Sequence, residues 1–201
     1  MWNTRYSESG YAYGTEPNNY FKQEIDGINP PGKLLLPAEG QGRNAVYAAK
    51  NGWDVSAFDI SKAGYQKAME LAKKNQVSIN FEVGTLEEVN VSHQKYDAIG
   101  LVYAHFPPPV LAGYHSKFVE LLNPGGYIIL EGFSKNNLPL RQKNSSVGGP
   151  DKLELLFDTE LIKSQFSGLE ILHLAEEEIT LNEGKYHIGT ARVIRFLGKK
   201  A

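Results

Sequence analysis

The chain has 201 residues, 41% of them hydrophobic and 22% charged, enough for one well-buried α/β domain and short of two. With no cysteine it has no disulfide framework, no thiolate metal site and no cysteine nucleophile, and its formal net charge of −2 lacks the basic face that nucleic acid demands. No stretch reaches the length of a membrane span, and the polar, Tyr-rich start is not a signal peptide, so small-molecule chemistry in the cytoplasm is the expectation.

Residues 1–31 carry Trp2, Arg5, Tyr6, Tyr11, Tyr13 and Tyr20 without a clear period before Asn18, which predicts an ordered arm or lid. Two readings stay open for it: an apolar patch packed on the domain, or a cover whose tyrosine faces and Arg5 touch a ligand. Leu34 to Leu36 read as a buried strand, and Asn44 to Asn51 as a short helix closed by Asn51-Gly52. Trp53 to Phe58 is a second strand, and Ser61 caps a helix with Tyr65, Ala68, Met69 and Ala72 on one face. Further strands are expected at Ser78–Val83, Tyr96–Tyr103 and Tyr127–Leu130, with a helix carrying Leu111, Tyr114, Phe118, Leu121 and Leu122 before the last.

This alternation predicts a Rossmann-like, doubly wound α/β sheet of five parallel strands with helices on both faces. Residues 134–150 lack any period and are expected to form a flexible active-site loop. A helix around Leu153 to Phe166 follows, and Asn182-Glu183-Gly184 separates two strand-like runs, a C-terminal antiparallel hairpin. If its first strand runs parallel to the others, Tyr186 and His187 lie on the ligand side. The organisation is thus one domain over 1–201: arm 1–31, core 32–133, loop 134–150, helix and hairpin 151–201.

The functional signal is Glu39-Gly40-Gln41-Gly42-Arg43-Asn44 after the first strand. Gly40 and Gly42 permit a tight turn beside a ligand, and Asp59, nineteen residues after Gly40, ends the next strand where an acid accepts hydrogen bonds from a ribose. A nucleoside-containing cofactor follows. A dinucleotide is one reading, although Glu39 would sit beside a pyrophosphate at the helix N-terminus and suits a cation better.

The chain resembles the class I S-adenosylmethionine-dependent methyltransferases, and among them the bacterial tellurite-resistance and thiopurine methyltransferase group. The resemblance is carried by the arm from Trp2-Asn-Thr-Arg5-Tyr6 to Tyr13-Gly14-Thr-Glu-Pro17-Asn18, by the cofactor loop, by Asn123-Pro124-Gly125-Gly126 and by the terminal hairpin. It implies S-adenosyl-L-methionine as cofactor, with Arg5 and Arg43 for the methionine carboxylate, Asp59 for the ribose and Ile60, Thr85 and Leu86 around the adenine. It also implies Gly40, Gly42 and Asn44 in the loop, and Tyr13 and Tyr103 near the sulfonium. Where the family has an acid at the end of the first strand this chain has Leu36, so Glu39 is the expected partner of the methionine ammonium.

Such a cofactor supplies an activated methyl group, leaving the protein to orient the partners and exclude water. A soft acceptor, a thiol or a selenium or tellurium nucleophile, needs little more; a hydroxyl or amine needs a base, for which His105 and then His187 are the candidates. Each also reads as a structural histidine. His93 and His115 read as surface residues, and five scattered histidines give no metal site. The expected protein is a methyltransferase for a small-molecule acceptor, a monomer or weak homodimer. The alternatives are an NAD(P)-dependent oxidoreductase and a non-catalytic S-adenosylmethionine-binding protein.

Overall fold

The computed structural model describes residues 1–201. Strands β1 (Lys33–Pro37), β2 (Asp54–Asp59), β3 (Asn80–Val83), β4 (Tyr96–Val102), β5 (Leu122–Phe133), β6 (Glu170–Glu183) and β7 (His187–Lys199) form one sheet in the order β3-β2-β1-β4-β5-β7-β6. The first five are parallel, and β7 is antiparallel to both β5 and β6. β6 therefore runs with β5, and the hairpin turn lies at the carboxyl end of the parallel strands, where open α/β sheets bind ligands. No helix is long and apolar enough to cross a membrane.

Apolar residues on successive strand positions face opposite sides, so both faces of the sheet carry a core. Leu35, Ile99, Leu101, Ile128 and Leu130 pack with α5 (Pro108–Leu121) and α7 (Thr159–Gln165). Leu34, Leu36, Val55, Ala57, Ala98 and Ile129 pack with α2 (Asn19–Gly27), α3 (Arg43–Lys50) and α4 (Lys62–Lys74). Truncating any one of these to alanine costs about 2–5 kcal/mol where the side chain is large.

Three expectations need correction. The arm begins with a helix, α1 (Trp2–Ser7), which has too few residues for a visible apolar period and is held by contacts with α4. Asn3 Oδ1 accepts from Ser61 Oγ at 2.8 Å and Ala63 N at 3.2 Å, capping α4 from outside. Residues 134–150, expected to lack regular structure, include α6 (Leu138–Lys143) and short 3-10 turns at Lys135–Asn137 and Ser145–Val147, with Asn137 and Val147 buried. The single helix expected over Leu153 to Phe166 is a 3-10 turn at Leu153–Leu155 followed by α7.

Candidate cofactor and acceptor site

β1 ends at Pro37, and the chain turns through Ala38, Gly40 and Gly42, all at positive φ (54°, 66° and 84°), before α3 begins. The open side of Gly40 faces the Tyr6 hydroxyl, and any Cβ there would collide with it. The open side of Gly42 faces Ala68, so this glycine lets α3 pack on α4 and, contrary to expectation, does not face a ligand. Tyr6 is buried by α1 and lies close enough to Asp59 and Glu39 that burial, then those carboxylates, push its phenol upward.

Glu39 is buried, and its Oε1 accepts from Asn44 N and Ala45 N, both at 2.8 Å, while Oε2 accepts from Asn44 Nδ2 at 3.2 Å. It closes the first turn of α3, where free amides and the helix dipole attract a negative group. That is a correction: the carboxylate expected to await a ligand ammonium is engaged in holding α3. A pyrophosphate arriving at this helix would meet a carboxyl group in place of free amides, so the dinucleotide reading finds no anion site here. Burial pushes the Glu39 carboxyl up to about 7 against those hydrogen bonds.

Asp59 accepts from Gly40 N at 3.0 Å through Oδ2 and from Ser61 N at 2.8 Å through Oδ1, tying the ends of β1 and β2 together. Burial raises its carboxyl above the usual range. Beside it Ile60 is 58% exposed and Val83, at the end of β3, 45% exposed, an uncovered apolar shelf next to a carboxylate. Ile60 is thus outside the core, whereas Leu86 is buried in it. Thr85 N donates to Glu88 Oε2 at 2.9 Å, closing its own turn.

The arm and the hairpin meet across the ends of β4 and β5. Tyr103, at φ 52°, donates from its hydroxyl to Glu131 Oε1 at 2.7 Å. Glu131, 1% exposed, also accepts from Asn18 Nδ2 at 2.6 Å and Arg195 Nε at 2.7 Å. His187 Nδ1 lies 3.0 Å from Glu183 Oε2, the same oxygen that accepts from Arg43 Nη2 at 3.0 Å. Burial alone would raise the Glu183 carboxyl, but the His187 bond and the Arg43 guanidinium hold it down at about 2. With Glu183 ionised, His187 Nδ1 carries the proton and Nε2 the lone pair. Rings of Tyr13, Tyr103 and Phe133 surround the imidazole at centroid distances of 4.3, 4.6 and 5.2 Å. Burial lowers its pKa, with the Glu183 bond opposing.

A cleft of ≈ 230 Å³ adjoins this chamber, with Asn18, Arg43, Glu131, Glu183 and Arg195 in its wall. Arg5 donates to the Tyr13 hydroxyl at 2.9 Å and lies over the Tyr186 ring at 4.5 Å, while Arg43 Nη1 donates to Tyr13 O at 3.2 Å. Both arginines expected at a carboxylate therefore also join the arm to the hairpin.

His105, the first candidate for a base, has no free ring nitrogen. Phe133 N donates to its Nε2 at 3.0 Å, and its Nδ1 donates to Leu155 O at 2.7 Å, so both ring nitrogens are held by main chain. Burial pushes its pKa down to about 4. His115, expected on the surface, is completely buried in α5 and stacked on Phe166 at 4.7 Å. Residues that sequence reasoning passed over are Tyr6, Asn18, Gln41, Glu131 and Glu183. Glu131 ends an apolar strand as Asp59 does, and that signal was available.

The residues present fit S-adenosylmethionine. Ile60 and Val83 provide an apolar shelf beside the Asp59 carboxylate, and the buried Gln41 Nε2 is a donor without a partner.

Residues 37–126 match the family model described as a methyltransferase domain. A curated relative, the ribosomal protein L11 methyltransferase of Thermus thermophilus, is 27% identical over 151 residues; the match covers 73% of this chain and 58% of that protein, so the chain spans less than two thirds of its length. Among solved structures, TehB from Haemophilus influenzae superposes with a TM-score of 0.70 at 18% identity, covering 92% of this chain and 63% of that one. Magnesium protoporphyrin IX methyltransferase (ChlM) from Synechocystis PCC 6803, solved with SAH bound, gives 0.66 at 16% identity over 100% of this chain and 93% of the other. The family match takes in residues 37–126, and the likeness to these solved structures is one of fold: a Rossmann-like sheet that ends in an antiparallel hairpin.

Proposed function

We propose that the protein transfers the methyl group of S-adenosylmethionine to a small-molecule acceptor with a soft nucleophile, a thiol or a selenium or tellurium centre, and that His187 is the base that activates it. The bound cofactor supplies a methyl group on sulfur already poised for displacement. In this assignment Asp59 and Ile60 hold the nucleoside, and the arm with Tyr13 excludes water. Glu183 fixes the imidazole so that Nε2 can take the proton of an acceptor thiol.

The observation that carries the reading is the His187–Glu183 pair at 3.0 Å, with the rings of Tyr13, Tyr103 and Phe133 packed on the imidazole. A ≈ 230 Å³ cleft beside this cluster, walled in part by Tyr13, Arg43 and Glu183, favours a small acceptor over a macromolecule. Phe133 and the tyrosine faces suit a polarisable atom better than a strongly hydrated one.

The test is methyl transfer from labelled cofactor to 2-mercaptoethanol, cysteamine, selenite and tellurite, with catechol and an arylamine as hard acceptors. Label should appear in the thiols or in the selenium or tellurium products. Transfer confined to catechol or the amine would overturn the soft-acceptor assignment.

A further inference from the structure

We propose that Gln41 is a positioning residue through which the amino-acid end of the cofactor is tied to the arm and to the hairpin that carries His187. The proposal depends on the cofactor and is independent of the acceptor.

Gln41 sits between the two glycines of the loop and is 6% exposed. Its Oε1 accepts from Ala12 N at 2.7 Å. Only the carbonyl end of an amide can meet a main-chain N–H, so that bond fixes the orientation of the side chain and turns Nε2 the other way. There Nε2 is buried with no partner. An unmet buried donor is costly, and its presence asks what should be beside it.

No acceptor of the protein lies within hydrogen-bond distance of Nε2. We assign the missing acceptor to the bound cofactor. The strongest acceptor on S-adenosylmethionine is its carboxylate, and residue 43, two positions on, is the only cation of the loop.

The other end of the amide leads across the site. The Ala12 carbonyl accepts from Lys185 N at 2.9 Å, and any Cβ on Gly184 would collide with that carbonyl oxygen. The peptide of Ala12 thus bridges the cofactor loop and the hairpin turn, which carries Glu183 on one side and His187 on the other. A carboxylate on Nε2 would fix the Gln41 amide from both ends. Cofactor binding then strengthens arm and hairpin docking, and by linkage docking strengthens cofactor binding equally.

The test uses the full chain and two ligands: S-adenosylhomocysteine, which has the amino-acid end, and 5′-methylthioadenosine, which lacks it. Gln41→Glu keeps an acceptor for Ala12 but cannot donate; Gln41→Leu loses both bonds. By calorimetric titration Gln41→Glu should weaken S-adenosylhomocysteine about tenfold or more, the worth of roughly one charge-assisted hydrogen bond, and leave 5′-methylthioadenosine unchanged. By hydrogen exchange, S-adenosylhomocysteine but not 5′-methylthioadenosine should slow the Ala12 and Lys185 amides in the wild type, and this difference should vanish in Gln41→Glu. Equal loss of both ligands, undiminished binding of S-adenosylhomocysteine, or equal protection by both ligands would each overturn the proposal. If Gln41→Leu fails to fold, Gln41→Glu with the two ligands decides alone.

Discussion

Two pairs of acids, all buried but the half-buried Glu183, stand at the carboxyl ends of the strands, and they are satisfied in different ways. Glu39 and Asp59 bond main-chain amides within a few residues of the β1 and β2 ends. Glu131 and Glu183 bond side chains that come from the arm, from β4, from α3 and from β7. The first pair shapes a loop and is local; the second assembles a chamber from distant elements and places a histidine in it. An acid held by amides is part of the scaffold, whereas an acid held by an imidazole is free to direct a proton.

The contrast breaks most directly at the histidines. His187→Asn should lower the rate of methyl transfer about 10²–10⁴-fold, the range of a general base, while S-adenosylhomocysteine affinity by calorimetry stays within about threefold. His105→Asn should do the reverse, lowering Tm through its lost main-chain bonds with the transfer rate per folded molecule retained. If His105→Asn abolishes transfer in a folded protein and His187→Asn does not, the chamber has been assigned to the wrong histidine.

Replacing a scaffold acid should be felt as stability. Glu39→Ala removes the group closing α3 and should cost about 2 kcal/mol in urea unfolding, within the range of strong cap losses. Glu183→Gln should cost less in stability than in turnover. Equal stability losses for the two variants would erase the distinction between the pairs.

The last expected effect is a pH slope. His115 is buried and neutral, its pKa pushed down to about 4 by burial. Its unfolded value is about 6.5, so between those limits the unfolded chain binds the extra proton. Its neutral burial is therefore harmless above pH ~6.5, and stability falls as pH drops towards 4, by up to about 1.4 kcal/mol per unit. His115→Phe should flatten that limb of the urea-derived stability profile. Glu39 works in the opposite sense over pH 4.5 to 7, since its folded carboxyl holds a proton up to about 7.

The sheet was legible in the sequence because each parallel strand is a short apolar run closed by turn residues, and Asp59 and the glycine loop mark ligand ends through local spacing. What escaped depends on distant partners. α1 exists because Asn3 and Tyr6 dock on α4 and Gly40, and nothing within Trp2–Ser7 encodes that. The role of His105 is set by Leu155 and Phe133, far along the chain. Glu183 reads as a turn residue until the fold brings Arg43 and His187 to it. His115 is a different kind of miss. It follows Leu111 by four residues and precedes Phe118 by three, so helical spacing already put it on the buried face.

The docking of α1 has a practical consequence. The chain has only two tryptophans. Trp53 is buried in the core, whereas Trp2 stacks on Tyr6 with centroids 5.6 Å apart, and Tyr6 lies on Gly40. Trp53→Phe therefore leaves one emitter, mounted on the segment that covers the cofactor loop. The position of the lid then becomes an optical signal, readable by stopped-flow fluorescence without any attached dye.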